Sequence, residues 1–408
     1  MYSYKTGLPT KEHDDFVKAS NQTNLLQSSS WAHIKDNWGN ERIGFYKDDV
    51  LVASASILIK PLPLGFTMLY IPRGPIMDYT DKELVAFVLS SLKAYGKTKK
   101  ALFIKCDPML LLRQAKLSEF DSAKDKEETL EAIKNVEAAG ASWTGRTQDL
   151  AETIQPRFQA NLYAESYDVS NFAKKTRQSL RTARNKGVEV QFGGSELLPD
   201  FAELMKKTEV RKGIPLRGLD YYQKLLATYP EDSYVTMATL NITKRLETLQ
   251  EQLDKALSEK ENFTEKTRQN KVNNNQQTIE RLEKEIAFLT EKKETSKRDI
   301  VPLAATISLE FGDTSENIYA GMDDDYKTYQ PAILTWFETA SHAFERQKTW
   351  QNMGGIENGL DGGLYQFKSK FEPTIEEFVG EFNLPVNKPL YALSNLAYTM
   401  RKKIRSKH

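Results

Sequence analysis

Between residues 82 and 99, apolar side chains return at Leu84, Val85, Phe87, Val88, Leu89, Leu92 and Tyr95. That is the rhythm of a half-buried helix, and Gly96 reads as its stop. On either side the rhythm shortens. "RIGFYKDD" and "VLVASASILIKPL" read as two strands around a Lys-Asp-Asp turn. "TMLYIPRGPIMDY" is a strand running into a proline-glycine turn, and "ALFIKCDP" is a buried strand. "EHDDFVKAS" and "SSSWAHIKDNW" have helical spacing. Residues 1–150 therefore alternate helix and strand, which argues for an α/β unit. A similar alternation follows. "NFAKKTRQSLRTARNKG" is a helix closed by Gly187, and "ELLPDFAELMKKTEVRKGI" and "LDYYQKLLATYP" are helices. "VEVQFGG", "SYVTMATLNI" and "VPLAATISLEF" are strands, and "AILTWFETASHAFERQK" is a helix. Two units with the same order of elements suggest an internal structural repeat.

The second alternation is interrupted. Leu246, Leu249 and Leu253 step by three and four, as do Ile279, Leu282, Ile286 and Leu289, around a polar, Asn-rich stretch. Two such stripes specify an antiparallel helical hairpin. The expected organisation is a first unit over residues 1–153, with 383–408 packing back onto it. A second unit takes 154–240 and 300–382, and the hairpin is inserted at 241–299.

Composition narrows the classes of function. The chain has 408 residues, long enough for two or three modules. Its 57 basic and 56 acidic side chains nearly cancel, so only local clustering can point to a charged partner. The single cysteine, Cys106, excludes a disulfide framework and fits a reducing, cytoplasmic setting. Cys106 alternates with Ile104 on a buried strand and reads as core. The four histidines are scattered, and no metal or cofactor is expected. There is no P-loop, GxGxxG or GxSxG, no signal peptide, and no apolar run of membrane-spanning length. Asp107 reads as a turn former before Pro108, with a role as base the weaker alternative.

Charge does cluster locally. Lys174, Arg177, Arg181 and Arg184 share one face of the helix in "KKTRQSLRTARNKGV", which has no acid among them. A phosphate backbone would relieve their repulsion; a solvated basic helix is the alternative. "SSWAHIKDNWGN" places Trp31, Lys35 and Trp38 on one helical face, a packing surface or a phosphate site. Arg211, Lys212 and Arg217 lie near Tyr221 and Tyr222, a set able to hold a pyrophosphate. The tail "MRKKIRSKH" follows an apolar stripe and reads as either a frayed end or a membrane-surface helix. "GGLYQFKSKFEP" sets Lys368 among Tyr365, Phe367 and Phe371, either snorkelling over a helix or pointing into a site.

These residues resemble a known family. "IPRGPIMDYTDKEL", "FIKCDP", "RTARNKGVEV", the inserted hairpin and "GGLYQFKSKFEPTIEEFVGEFNLPVNKPLY" resemble the FemABX aminoacyltransferases, and from "LLQSS" onward the likeness is to the streptococcal MurM/MurN branch. The resemblance implies two acetyltransferase-like (GNAT-like) α/β subdomains with a coiled-coil arm. It implies transfer of Ala, Ser or Gly from aminoacyl-tRNA to the stem-peptide lysine of a lipid-linked peptidoglycan precursor, at the inner membrane face and without a cofactor. It implies that Lys368, beside Phe367, serves catalysis, as a cation for the oxyanion or as a hold on the tRNA end. It also implies that Lys35 and Arg211 contact substrate phosphates, and that Trp38, Arg217 and Tyr221 line the lipid pyrophosphate site. Two other readings stay open at this stage. One is an acyl-CoA acetyltransferase, against which Ile356 in "QNMGGIEN" speaks. The other is a non-catalytic coiled-coil scaffold.

Overall fold

A computed structural model describes the backbone of residues 1–405 and the side chains of residues 1–396. The chain opens with β1 (Tyr2–Thr6), α1 (Thr10–Lys18) and the short α2 (Trp31–Ile34). β2 (Gly39–Lys47), β3 (Val50–Pro61), β4 (Thr67–Ile71) and β5 (Ile76–Met77) follow. Then come α3 (Lys82–Thr98), β6 (Ala101–Cys106), β7 (Leu111–Lys116), α4 (Glu127–Ala138) and β8 (Ser142–Trp143). The second half runs through β9 (Phe158–Tyr163), α5 (Lys174–Asn185), β10 (Val188–Gly193), α6 (Leu198–Lys212), α7 (Leu219–Thr228) and β11 (Ser233–Asn241). The long helices α8 (Ile242–Glu261) and α9 (Gln269–Ser296) come next, then β12 (Ile300–Phe311), β13 (Thr314–Met322), α10 (Pro331–Glu345) and β14 (Trp350–Gly355). The chain closes with α11 (Gly363–Lys368), β15 (Thr374–Phe378), β16 (Phe382–Pro385) and α12 (Lys388–Arg405).

The strands form two sheets with one pattern. The first has the order β1-β2-β3-β4-β6-β16-β8, and the second β10-β11-β12-β13-β14-β9-β15-β7. Each starts as a four-stranded antiparallel meander and has one parallel junction, β4 with β6 or β13 with β14. Each then continues antiparallel. The repeat expected from element order is therefore present in the topology. Local chemistry accounts for the individual elements. Asp48 and Asp49 both take positive φ, which closes the two-residue β2–β3 hairpin. Asp81 caps α3 by accepting from the Leu84 amide at 3.0 Å.

Two elements differ from expectation. Gly96 lies inside α3, which runs on to Thr98. A Cβ there would stand 3.0 Å from Val386 Cγ2, so the glycine permits packing rather than stopping the helix. α2 ends at Ile34, and Lys35 caps it in a non-helical conformation. Trp31, Lys35 and Trp38 thus do not share a helical face. The segment "QNMGG" forms strand β14 rather than a loop before a helix, so it is not a pyrophosphate-binding turn.

α8 and α9 pack side by side through Leu249, Leu253, Ile279, Leu282 and Leu289. Contacts from Arg245 to Glu285 and from Ala256 to Asn275 run in opposite chain directions, so the pair is antiparallel. Its base is fixed to the body where Arg245, Tyr329 and Lys186 surround Glu285.

The two sheets meet through shared elements. Residues 111–116 form β7, at the edge of the second sheet, and β16 returns from the second half to lie between β6 and β8 of the first. A core joins Val17, Leu25, Trp31 and Ile34 to Phe201, Leu204, Tyr222, Leu225 and Ile307. At the seam Arg73 is only 2% exposed. Its amide donates to Asp107 at 2.6 Å and its guanidinium to the Pro156 carbonyl at 2.9 Å. Its charge also acts on buried Glu316 and Glu376 of the second sheet. Burial pushes the Asp107 carboxyl up to about 6, with Arg73 and the Tyr70 hydroxyl opposing the rise. Asp107 is thus a buried turn holder. Cys106 beside it is core, its thiol pushed up by burial. Arg73→Met leaves these carboxylates without their cation and is expected to lower the unfolding free energy by about 3–5 kcal/mol, read from urea denaturation.

Candidate functional site

Lys368 is the last residue of α11, and the preceding loop turns that helix over β14. Glu357 fixes the turn, its carboxylate accepting from the amides of Leu364 at 3.0 Å and Tyr365 at 2.9 Å. This satisfies free amides at the start of the helix and places a negative charge where the helix end favours it. The Lys368 side chain then runs inward and is 5% exposed. Its Nζ donates to the Gly355 carbonyl at 2.7 Å and lies 5.8 Å from the centre of the Trp336 ring. Gly354 has φ of 83°, and a Cβ there would lie 3.3 Å from Nζ, so glycine admits both the backbone turn and the amine. Burial brings the Lys368 amine down to about 7, against the opposing pull of Glu357 and with a smaller push from Lys212. Lys368 therefore points inward, and it holds its proton weakly. Phe367 does not border the amine directly. It packs edge-on to Trp336 and Phe371, at 5.6 and 5.8 Å between ring centres.

The location follows from the sheet. β13 and β14 pair in parallel only over Thr314–Glu316 and Trp350–Asn352. β13 then continues to Met322 without its partner, and the strands part. Lys368 binds at the far end of β14, where this divergence frees backbone groups from ladder pairing.

A second group of cations gathers where α2 and α7 meet. Lys224 pairs with Asp36 at 2.5 Å, and Ser28 Oγ and Tyr229 Oη are 2.6 Å apart, tying the two units together. Half-buried Lys35 stands close enough to Arg217 that its amine is lowered, first by burial and then by that neighbouring charge. Arg217 lies over the Tyr221 ring at 5.0 Å, and the Tyr221 and Tyr319 hydroxyls are 3.4 Å apart. Two facing cations, neither paired with a carboxylate among the described residues, form a site that an anion would complete.

The other sequence-derived residues go elsewhere. Arg211 pairs with Asp324 at 3.1 Å on an exposed face, an interaction weak enough to be exchanged for a ligand. Trp38 packs beside Ala32, Leu58 and Tyr70, with Lys60 5.3 Å from its ring centre. On α5, Arg184 pairs with Glu338 at 2.8 Å, and Arg177 donates to the Ser170 carbonyl at 3.2 Å. Lys174 and Arg181 are exposed and make no ion pair among the described residues. Glu357 and Trp336 border Lys368 but were not singled out in the sequence, and Lys212, read there as part of a pyrophosphate set, acts on the Lys368 charge instead. Only tertiary packing brings them there. Among the described residues, no cluster of histidine, cysteine and carboxylates could hold a metal. Three cavities, of about 400, 440 and 250 Å³, open elsewhere, and Lys368 lines none of them.

The chain is similar to known proteins over nearly its whole length. A crystal structure of FemX superposes with a TM-score of 0.74 at 26% identity, covering 96% of this chain and 99% of that one. Its match supports the two-sheet α/β fold. A lipid II:glycine glycyltransferase of Staphylococcus epidermidis is 29% identical over 407 residues, covering 95% of this chain and 94% of its own. The protein of the same description from Staphylococcus aureus is 28% identical over 415 residues, with the same coverage. The FemAB family model matches residues 8–399, so this chain belongs to the FemAB family.

Proposed function

We propose that this FemAB-family aminoacyltransferase moves a small amino acid from aminoacyl-tRNA to the side-chain amine of a stem-peptide lysine on a lipid-linked peptidoglycan precursor. The observation that carries the reading is the enclosed amine of Lys368 at the divergence of β13 and β14. The relatives described as lipid II:glycine glycyltransferases support the lipid-linked acceptor and put glycine first among glycine, alanine and serine. A non-catalytic scaffold leaves the desolvated lysine without a purpose.

The chemistry follows from proton bookkeeping. An aminoacyl ester is already activated, so the amine needs only to attack and lose a proton. The acceptor lysine, with a reference pKa near 10.4, first gives one proton to solvent, and the neutral amine then forms a cationic adduct as it attacks. Lys368, held near 7, is largely neutral just above neutrality and accepts that proton. It is then an ammonium beside the tetrahedral oxyanion, which it stabilises. It returns the proton to the ribose oxygen as the ester bond breaks. Trp336, backed by Phe367, keeps water from the amine.

Lys35, Arg217 and Tyr221 hold the pyrophosphate of the lipid-linked acceptor. Lys174, Arg177, Arg181 and Arg184 face the tRNA. Among the described residues no helix is long and apolar enough to cross a membrane. Leu393 and Leu396 are exposed on α12, and we assign this helix to peripheral contact with the inner membrane face. The basic tail from Arg401 to His408 lies outside the residues whose side chains are described.

Transfer is tested with lipid-linked lysine-containing precursor and glycyl-, alanyl- and seryl-tRNA, reading the product mass; absence of any added residue overturns the reading. Single-turnover rates are expected to rise with pH through about 7, and Lys368→Met to lose that rise with a drop on the order of 10²–10⁴. A rate that instead falls above neutrality would assign the ammonium form. The same variant is expected to melt higher than the wild type. A lowered folded pKa makes native stability increase with pH between the folded and unfolded values, so this gain is largest below about pH 7 and shrinks towards about pH 10.

Pyrophosphate is expected to raise the melting temperature of the wild type but not of a Lys35→Ala, Arg217→Ala double variant, with Arg211→Ala keeping most of the shift. Charge removal at Lys174 and Arg181 is expected to flatten the salt dependence of tRNA binding by about one unit of log–log slope for each phosphate that is no longer neutralised; an unchanged slope would make α5 structural.

A further inference from the structure

Several connections of the first unit gather at one end of its sheet. Gly39 of β2 pairs with Ile59 of β3, Pro61 of β3 with Thr67 of β4, Thr67 with Ala101 of β6, and Phe103 of β6 with Pro385 of β16. The tip of the β3–β4 hairpin, the turn from α3 into β6 and the start of α12 therefore lie side by side. Hydrogen bonds fix them there. Thr67 donates from its amide to the Lys100 carbonyl at 3.1 Å and from its hydroxyl to the Lys99 carbonyl at 2.8 Å. The Val386 amide, two residues before α12, donates to the Leu102 carbonyl at 3.0 Å. The Tyr391 ring of α12 lies 4.9 Å from that of Phe103, and Phe103 packs with Leu62 and Trp38.

The surface they make is both apolar and basic. The hairpin tip reads "PLPLGF", and Leu64 at its apex is 92% exposed. Leu64 also has φ of 62°, a conformation that glycine or asparagine adopts at lower cost. Its side chain gains almost no burial within the protein, so only a surface outside the chain can take it from water. Leu393 and Leu396 are exposed on the adjoining α12. Lys60, Lys97, Lys99, Lys100 and Lys388 are exposed around this apolar tip and make no ion pair among the described residues. Residues 60–68, 93–106 and 382–408 contain no aspartate or glutamate, in a chain whose charges otherwise nearly cancel.

Charge and apolarity together select the partner. A nucleic acid would pair with the lysines but gives the apex leucine nothing to enter. An anionic bilayer uses both, taking leucine into the acyl boundary and lysines at the headgroup phosphates. We infer that the β3–β4 hairpin tip inserts into an anionic phospholipid surface beside α12, with these lysines at headgroup level. The inference rests on the reading of a lipid-linked acceptor and adds the orientation in which the chain meets it. Trp38, packed behind the tip, carries Lys60 5.3 Å from its ring centre and donates its amide to the Lys35 carbonyl at 2.9 Å. The Lys35–Arg217 pair is thereby held at the membrane-facing end of the first unit, where the pyrophosphate of a lipid-linked acceptor lies.

The test uses the full chain and vesicles of phosphatidylcholine with and without phosphatidylglycerol. Leu64→Asn suits the backbone of the apex and is expected to melt no lower than the wild type, while its binding to anionic vesicles weakens about ten-fold. Lys97→Gln, Lys99→Gln and Lys100→Asn together are expected to weaken that binding by roughly 10²-fold and to leave binding to phosphatidylcholine alone unchanged. Leu64→Cys takes a polarity-sensitive fluorophore selectively, because Cys106 is buried, and its emission is expected to shift to the blue on anionic vesicles. A label that stays in water on vesicle-bound protein overturns insertion of the tip. Leu64→Asn is also expected to slow transfer to an acceptor embedded in vesicles about ten-fold, with no change for a short-chain acceptor free in water. Wild-type protein that ignores anionic vesicles while transferring to a lipid-linked acceptor overturns this inference alone. Vesicle binding with the expected losses but no transfer supports the surface and defeats the transfer reading. RNA bound equally by the wild type and Leu64→Asn, with vesicles bound by neither, makes the patch an RNA surface and overturns the inference.

Discussion

The architecture depends on one buried guanidinium. Arg73 leaves the end of β4 with positive φ and is enclosed where the two sheets meet. It faces Asp107 from its own sheet and acts on Glu316 and Glu376 from the other. Burial takes water from all three carboxylates and pushes their carboxyls upward, and the Arg73 charge opposes that rise at each of them. Gln27 secures the same turn, donating to the carbonyls of Pro72 at 2.5 Å and Ser56 at 3.2 Å. Strands β7 and β16, each lying in the sheet of the other half, make separation of the two units costly, because ladder hydrogen bonds would have to break with it.

That rigid seam allows polar groups to be held in unfavourable states elsewhere. Lys368 is desolvated with one carbonyl as its partner, and Lys35 faces another cation. Both arrangements cost stability, and both make sense if a substrate group restores what is missing: a proton for Lys368, an anion for Lys35 and Arg217. Lys35 and Arg217 come from different halves of the chain, so the anion site exists only when the halves are docked. The amine site is built within the second half, from α10, α11 and β14.

Much of this was legible from residue pattern. The hairpin was readable because its leucines and isoleucines repeat at three and four over two long helices, and local periodicity persists wherever a helix is long. The Lys-Asp-Asp turn was readable because two residues between alternating strands leave few conformations. Short elements were not. Trp31, Lys35 and Trp38 have helical spacing, yet α2 stops after four residues and Lys35 departs from it. Gly96 has the chemistry of a helix stop, but its lack of a side chain serves contact with Val386, far along the chain.

Sequence by itself determined the two-unit α/β organisation, the inserted hairpin, the family resemblance and Lys368 as the residue to watch, since these rest on local spacing and on motifs. Tertiary structure alone decided which charges meet. It paired Arg211 with Asp324, Arg184 with Glu338, and left Lys35 beside Arg217. It also decided that Lys368 is enclosed, through Trp336, Gly354 and Glu357 from separate segments, and so set the state of its proton. The physical reason is that a side chain's charge state depends on solvation and on neighbours brought together by long-range packing, and neither is encoded in nearest-neighbour spacing.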